Sequence, residues 1–222
     1  MAFCVEYGMA LLINEIFYSI QGESMWAGLP CGFVRLSQCN LRCKYCDTLY
    51  AYQEGEFMEI KDVLKRLRPY GCMYVTITGG EPLLQKETPA LITDLIQNGY
   101  HVSMETNGSL DIGLVDDRCV KVMDIKCPSS GMQSQNRAEN LSCLGPMDQI
   151  KFVICDATDF EFANQQAERL SGTVQAERIL FSPVHGLLPA SDLARWMLDA
   201  RTHGRLQIQL HKYLWPDIDR GV

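Results

Sequence analysis

The sequence predicts a single-domain α/β fold with a mostly parallel β-sheet. Runs rich in β-branched and apolar residues alternate along the chain with segments of helical periodicity, a pattern typical of βα repeats. Hydrophobic residues make up 47% of the 222 residues, which is enough for a substantial core in one domain over residues 1–222. No internal repeat or low-complexity tract interrupts the alternation.

Each predicted element has its own local signal. The first helix places Ile60, Val63 and Leu67 on one face and stops before Pro69, and the second is followed by Gly99, where a helix end favours glycine. We predict strands, rich in β-forming residues, over 31–36, 73–77, 101–104, 119–125, 149–154, 178–181 and 206–210. We predict helices over 59–68, 89–98, 160–170 and 190–202, and an irregular or mobile loop over 128–145.

Charge and hydropathy exclude several classes of protein. The formal net charge is −7, so nothing indicates a nucleic-acid-binding surface. No apolar run approaches the ~20 residues that a membrane span needs, so no membrane association is expected. The first residues lack the basic region of a signal peptide, which favours a cytoplasmic location. Met9 offers a second start, in which case residues 1–8 would be an upstream extension.

The ten cysteines do not indicate a disulfide scaffold, because their fraction is well below the ~8–10% of such proteins and the chain is long enough to form a core. Cys127 and Cys143 lie in a polar segment and lack the further ligands of a second cluster. Four others lie in or beside apolar runs and are expected to be small buried residues: Cys31, Cys72, Cys119 and Cys155.

Three cysteines, Cys39, Cys43 and Cys46, follow the first predicted strand with the spacing C-x3-C-x2-C. Three thiolates on one loop can hold three corners of an iron–sulfur cube and leave one iron open to a substrate or cofactor. The next cysteine is Cys72 and the next histidine is His101, so no fourth ligand follows nearby. A structural zinc site normally takes four protein ligands, which favours the iron–sulfur interpretation.

Polar residues follow six of the predicted strands, at the point where each strand ends. In α/β folds the carboxyl ends of parallel strands form the active site. These groups are the cysteine loop, 78–82, 105–108, Lys126, Ser182 with His185, and His211 with Lys212. We therefore expect them to lie together at one site.

The cysteine spacing resembles that of radical S-adenosylmethionine (SAM) enzymes, and Thr78-Gly79-Gly80-Glu81-Pro82 resembles the GGEP segment with which they bind SAM. Two glycines let the backbone approach a ligand closely. The resemblance implies a [4Fe–4S] cluster on the three cysteines, with SAM on the open iron. It implies SAM contacts from Tyr45, Asp47, Gly79, Gly80, Glu81, Glu105, Asn107, Asp124, Lys126 and Ser182.

The surrounding segments resemble the 7-carboxy-7-deazaguanine synthase (QueE) family over 14–213. They are 19–23, 28–30, 33–36, Asp47-Thr48 directly after the cysteine loop, 128–131 and 209–213. Members of this family are homodimers with a shortened, modified radical SAM partial barrel. They convert 6-carboxy-5,6,7,8-tetrahydropterin into 7-carboxy-7-deazaguanine and release ammonia, a step toward queuosine. The resemblance therefore implies a pterin substrate, Mg²⁺, and an electron donor such as flavodoxin or ferredoxin.

The same resemblance assigns roles at the substrate end of the site. Thr48 would give an oxygen to Mg²⁺, which prefers hard oxygen ligands. Substrate contacts are implied for Ile20, Gln21, Gly22, Arg35, Thr78 and His211. Arg35 lies in an apolar strand, where a guanidinium is costly unless it meets an anion. That anion is either part of the pterin or an internal Asp or Glu.

Some positions depart from the family pattern. Ser24 and Gln38 stand where glycine is frequent, and Tyr45 replaces a frequent Trp. Asp124-Ile125-Lys126 replaces Ser-Pro-Lys, which leaves a SAM contact at 124–125 open.

Two other functions are kept as alternatives. The first is a glycyl-radical enzyme activase, whose substrate would be a large protein; Asp47-Thr48 and the Gln-Gly-Glu segment at 21–23 argue against it. The second is a noncatalytic iron–sulfur or zinc binding module, against which the polar groups at six strand ends argue.

Overall fold

The computed structural model describes residues 10–222, so Met9 and residues 1–8 lie outside the described residues. The strands are β1 (Ala10–Ile20), β2 (Pro30–Leu36), β3 (Glu56–Glu59), β4 (Tyr74–Gly79), β5 (His101–Thr106), β6 (Val120–Asp124), β7 (Gln149–Ile154), β8 (Ile179–Pro183) and β9 (Arg205–Leu206). The helices are α1 (Ile60–Leu67), α2 (Thr88–Gln97), α3 (Ala157–Leu170), α4 (Ala190–Ala200) and α5 (Leu210–Leu214). Among these described helices, none is both long and apolar enough to cross a membrane.

Within residues 10–222 the strands form one sheet in the order β3-β1-β2-β4-β5-β6-β7-β8-β9. Strands β2 and β4 to β9 run parallel, whereas β1 pairs antiparallel with β2 and β3. The sheet has free edges at β3 and β9 and is therefore open, as in a partial barrel. The predicted α/β class with a mostly parallel sheet is confirmed.

Two of the described connections between parallel strands lack the α-helix of a βα repeat. The described chain passes from β5 to β6, and from β6 to β7, through 3₁₀ turns instead of α-helices. The second connection contains the segment predicted to be irregular, and its turns span Pro128–Ser130, Gln133–Gln135 and Ala138–Cys143. The buried Asp159 of α3 accepts hydrogen bonds from the backbone N–H groups of Ser129 and Cys155, at 2.8 and 2.9 Å, and so fixes the first turn beside α3.

The hydrophobic core packs the helices against the outer face of the sheet. One group of buried residues joins β1, β2, β4 and β5 to α1 and α2, and a second joins β7 and β8 to α3 and α4. In α1, Ile60, Val63 and Leu67 are buried, as their spacing predicts. Cys31 and Cys119 are buried as predicted, whereas Cys72 and Cys155 are only partly buried.

The last predicted strand, over 206–210, is wrong beyond Leu206. The backbone N–H of Gln207 still donates to the carbonyl of Phe181 at 2.8 Å, but the N–H of Leu210 donates to Gly22 at 2.9 Å. The chain therefore leaves the edge of the sheet, and α5 begins at Leu210. The strands β1 and β3 were not predicted, although burial alternates along part of β1.

The β1–β2 loop, residues 21–29, bridges the two halves of the open sheet. The N–H of Met25 donates to Gln149 Oε1 at 2.8 Å, and Arg205 Nη2 donates to the carbonyl of Ser24 at 3.0 Å. Gln149 and Arg205 begin β7 and β9, so the loop closes the amino-terminal end of the barrel interior. Ser24 has a φ of 65°, in the left-handed region where the family frequently has glycine.

Candidate functional site

A cavity of about 330 Å³ lies among the carboxyl ends of the parallel strands. Its walls include all the predicted site residues except Glu81 and Ser182. Ser182 is buried within β8. The polar residues at the strand ends thus converge on one cavity, as expected. The volume of this cavity suits a small molecule.

The cysteine loop is held in place from two sides. The N–H of Gln38 donates to Ala51 at 2.8 Å, and the N–H of Lys44 donates to Ser130 at 3.1 Å. Cys39, Cys43 and Cys46 all line the cavity.

The chemistry of this thiol set fits an iron–sulfur cluster. In residues 10–222 no three His, Cys, Asp or Glu side chains are grouped as ligands of one metal ion. A cluster does not require that grouping, because each thiolate binds a different iron. Burial raises the pKa of the Cys39 and Cys43 thiols, and the charge of Lys126 opposes this at both. Lys126 therefore favours the thiolates that iron needs.

Gln38, directly before the first cysteine, has a φ of 74° and an exposed side chain. An L-residue pays about 1–2 kcal/mol in this conformation, whereas glycine pays mainly entropy. We expect Gln38→Gly to raise the free energy of unfolding by about 0.5–1 kcal/mol. Anaerobic thermal unfolding of the cluster-loaded protein measures this; a lower melting temperature for the variant would contradict it.

The two glycines of the GGEP segment pack against the backbone that leads into the cysteine loop. A Cβ on Gly79 would lie 2.1 Å from the carbonyl oxygen of Leu36, and a Cβ on Gly80 would lie 1.9 Å from that of Gln38. The N–H of Gly80 donates to Leu36 at 3.0 Å, and the N–H of Glu81 donates to Gln38 at 2.8 Å. The two glycines thus allow the GGEP segment to lie close to the backbone of residues 36–38. This contact aligns the GGEP segment with the cysteine loop.

Glu81 ties this segment to the end of β5. Its carboxylate accepts hydrogen bonds from the N–H of Leu83 at 3.0 Å, the hydroxyl of Thr106 at 2.9 Å and the N–H of Asn107 at 2.7 Å. Burial raises the pKa of Glu81, and these bonds act against burial. Asn107 in turn donates through Nδ2 to Asn40 Oδ1 at 3.1 Å, within the cysteine loop. Glu81 therefore joins the GGEP segment to the end of β5 from behind the cavity wall.

Asp124 and Lys126 form an ion pair of 2.7 Å on the cavity wall. The other carboxylate oxygen of Asp124, Oδ1, is buried and has no hydrogen-bond partner among the described residues. A buried acceptor without a donor costs free energy, so this atom fits a ligand that donates, such as the hydroxyl or ammonium groups of SAM.

Gln21 and Thr78, which also line the cavity, make internal contacts. Gln21 Nε2 donates to the hydroxyl of Thr76 at 2.9 Å, and its Oε1 accepts from the N–H of Glu23 at 3.1 Å. Both ends of the Gln21 amide are therefore engaged in shaping the loop. Thr78 Oγ1 donates to Glu105 Oε2 at 2.9 Å, and burial raises the pKa of Glu105.

Arg35 has an internal anion. Its Nε pairs with Glu15 Oε1 at 2.7 Å, and the hydroxyl of Tyr50 donates to the same oxygen at 3.0 Å. The alternative of an internal carboxylate partner is thus what the structure shows. Because Arg35 also lines the cavity, its substrate contact stays a prediction.

Sequence reasoning missed a second charged pair in the cavity wall. Lys151 Nζ donates to Glu23 Oε2, and Gln209 Nε2 donates to Glu23 Oε1 at 2.8 Å. Burial acts to raise the pKa of Glu23, but the charge and hydrogen bond of Lys151, together with the hydrogen bond of Gln209 and the charge of His211, lower it below its usual value. The signal was a lone lysine within the apolar run of β7, the same signal that singled out Arg35.

The C-terminal residues complete the cavity. A Cβ on Gly22 would lie 2.2 Å from His211 Nδ1, so only glycine leaves room for the imidazole there. Burial lowers the pKa of His211. Burial also acts to raise the pKa of Asp47, but Lys212 at 3.6 Å and a hydrogen bond from Thr48 lower it. Thr48 Oγ1 donates to Asp47 Oδ1 at 2.9 Å.

Comparisons with known proteins agree with the predicted family and fold. Residues 34–124 match the Radical SAM superfamily. A 7-carboxy-7-deazaguanine synthase of Koribacter versatilis is 41% identical, over 95% of this chain and 99% of the relative. One of Chlorobaculum tepidum is 42% identical, over 96% and 97%. The crystal structure of QueE from Escherichia coli superposes with a TM-score of 0.76 at 23% identity, covering 92% of this chain and 96% of that one.

Proposed function

Because the chain belongs to the 7-carboxy-7-deazaguanine synthase family of the radical SAM superfamily, we propose that it converts 6-carboxy-5,6,7,8-tetrahydropterin into 7-carboxy-7-deazaguanine with release of ammonia. One observation carries the proposal. The three thiols of the cysteine loop open onto the same small cavity as a set of charged and amide side chains suited to a polar heterocycle.

Superfamily membership implies a [4Fe–4S] cluster and SAM, and the residues present fit both. Cys39, Cys43 and Cys46 would hold the cluster, and the unpartnered oxygen of Asp124 would accept a hydrogen bond from SAM. When bound, cluster and SAM supply the radical chemistry that the side chains cannot. The chain's own part is to bind, orient and enclose.

The cavity wall also offers charges that suit a carboxypterin. The ring presents N–H groups, which carboxylates accept well, and its carboxylate needs cations or Mg²⁺. Glu23 and Glu105 are the acidic residues on the wall, and Arg35 and Lys212 are the basic residues available to the substrate carboxylate. Enclosed charge–dipole contacts of this kind are stronger than the same contacts in water.

We further propose that Thr48 gives an oxygen to Mg²⁺. Its hydroxyl hydrogen is directed to Asp47, so its lone pairs remain available to a cation. We expect Thr48→Ala to lower turnover and to raise the Mg²⁺ concentration for half-maximal activity by about 10-fold or more, with cluster absorbance intact. Titrating activity with Mg²⁺ measures this. Thr48→Ser keeps the hydroxyl and serves as the control; an unchanged titration for Thr48→Ala would show that Thr48 only shapes the turn.

An anaerobic SAM-cleavage assay tests the proposal against its alternatives. A noncatalytic cluster or zinc module would not cleave SAM when reduced. A glycyl-radical activase would cleave SAM, but 6-carboxytetrahydropterin would not be consumed. We expect reduced protein to cleave SAM slowly alone and to consume the pterin when it is added; the pterin remaining unchanged would reject the proposed function.

Several features complete the proposal and stay predictions. We propose a homodimer, a flavodoxin or ferredoxin as electron donor, and a cytoplasmic location. A small-molecule substrate and a reductant follow from the superfamily. We also propose that the chain forms one domain.

A further inference from the structure

Lys151 places a cation deep in the barrel interior. It lies in β7 between Ile150 and Phe152, which are buried in the hydrophobic core, so alternation along the strand turns Lys151 and Val153 toward the cavity. Its side chain is only 12% exposed. An ammonium in such surroundings is costly unless it is paired, and its hydrogen-bonded partner is Glu23.

Glu23 is held by residues from three separate parts of the chain. Lys151 donates to one carboxylate oxygen, and Gln209 donates to the other at 2.8 Å. The Gln21 side chain fixes the Glu23 backbone through the N–H at 3.1 Å. A carboxylate held in this way has little freedom to turn, and its remaining lone pairs are available to a ligand in the cavity.

Lys151 supplies Glu23 with a positive charge that its neutral hydrogen-bond donor, Gln209, cannot supply. The cavity wall around it carries Glu23, Glu105 and Asp124, and burial lowers the pKa of Lys151 less than these three carboxylates raise it. Without the ammonium, Glu23 would be a buried anion with only neutral donors. Such a group takes up a proton or moves toward water.

Building on the proposed function, we infer that Lys151 is a positioning residue for substrate binding: it acts through Glu23, keeping that carboxylate in place to accept the N–H groups of the pterin. Lys151 thus determines affinity for the substrate without contacting it. The inference differs from a structural ion pair because it predicts an effect on KM that depends on Glu23.

The chain offers a matched control in Lys121 of β6. Lys121 pairs with Asp148 at 2.9 Å, and the two side chains are 2% and 3% exposed. Its neighbour Val122 lines the cavity, so Lys121 faces the other side of the sheet. Lys121→Met therefore removes a buried ion pair of the same kind away from the site.

The experiment is a double-mutant cycle on the cluster-loaded enzyme. Lys151→Met, Glu23→Gln and the double variant are compared for kcat and KM with the pterin, together with cluster content and pterin-independent SAM cleavage. We expect each single variant to raise KM roughly 10- to 100-fold, with cluster content and SAM cleavage unchanged. In the Glu23→Gln background, Lys151→Met should raise KM little further.

Four other results would overturn the inference. A normal KM for Lys151→Met would make the pair structural, and additive effects would mean that Lys151 contacts the substrate itself. A KM raised equally by Lys121→Met would trace the effect to general destabilisation. Wild-type enzyme that does not convert the pterin would overturn the proposed function, and this inference with it. If Lys151→Met does not fold, Lys151→Gln, which keeps a donor for Glu23, should show the same dependence on Glu23 with a smaller KM increase.

Discussion

Replacing Cys39, Cys43 and Cys46 together by Ala should abolish both cluster binding and SAM cleavage. The three thiols are the only cysteines on the cavity wall among the described residues, so their loss leaves the iron without anionic sulfur ligands. Activity should fall below detection, because the chemistry belongs to the cluster and SAM and no side chain substitutes for it. Iron and sulfide analysis after anaerobic reconstitution, followed by the SAM-cleavage assay, measures both effects.

Cys143→Ala is the control for this variant. Cys143 is exposed and lies off the cavity wall, so its removal should leave one cluster per chain and full activity. Iron and sulfide in the triple variant equal to those of the wild type would place the cluster elsewhere. Two clusters per wild-type chain would instead direct attention to Cys127 and Cys143.

Gly80→Ala should have the next largest effect, on stability and cluster content together. The added Cβ would lie 1.9 Å from the carbonyl oxygen of Gln38 and 2.9 Å from the backbone nitrogen of Cys39. Both are backbone atoms, so the GGEP segment and the cysteine loop must move apart. We expect a loss of at least about 2 kcal/mol in the free energy of unfolding and a lower iron content after reconstitution. Anaerobic urea unfolding and iron analysis measure these.

Gly172→Ala provides the comparison. Gly172 lies in a turn with no heavy atom within 4 Å of an added Cβ, and its substitution should change stability by less than about 0.5 kcal/mol. If Gly80→Ala were as stable as Gly172→Ala and bound iron normally, the two segments would not be aligned in the way described.

Much of the fold could be predicted because its signals are local. The apolar spacing of α1, the glycine after α2 and the β-rich runs of the parallel strands each lie within a few residues of one another. Functional residues gather at the carboxyl ends of parallel strands, and this rule predicted that the candidate residues would lie together. All of them except Glu81 and Ser182 line one cavity. Strands β1 and β3 were missed because the feature that defines them is not local: they pair with each other across more than 30 residues of sequence.

The contacts within the site were less predictable, because they join distant parts of the chain. Lys151 and Glu23 are 128 residues apart, and Gln209 and Glu23 are 186 apart. A lone charge in an apolar strand shows that a partner is needed but not which one. Arg35 illustrates this, because its place in an apolar strand was consistent with either a ligand or an internal carboxylate. The partner is Glu15, which the β1–β2 pairing places opposite Arg35.

The most direct test of the central claim is the product formed from the pterin. Cluster-loaded protein is incubated anaerobically with reductant, SAM, Mg²⁺ and 6-carboxy-5,6,7,8-tetrahydropterin, and the products are identified by mass, with ammonia measured in parallel. We predict 7-carboxy-7-deazaguanine and an equal amount of ammonia, with SAM regenerated rather than consumed in proportion. Cleavage of SAM to 5′-deoxyadenosine with the pterin recovered intact would contradict the account.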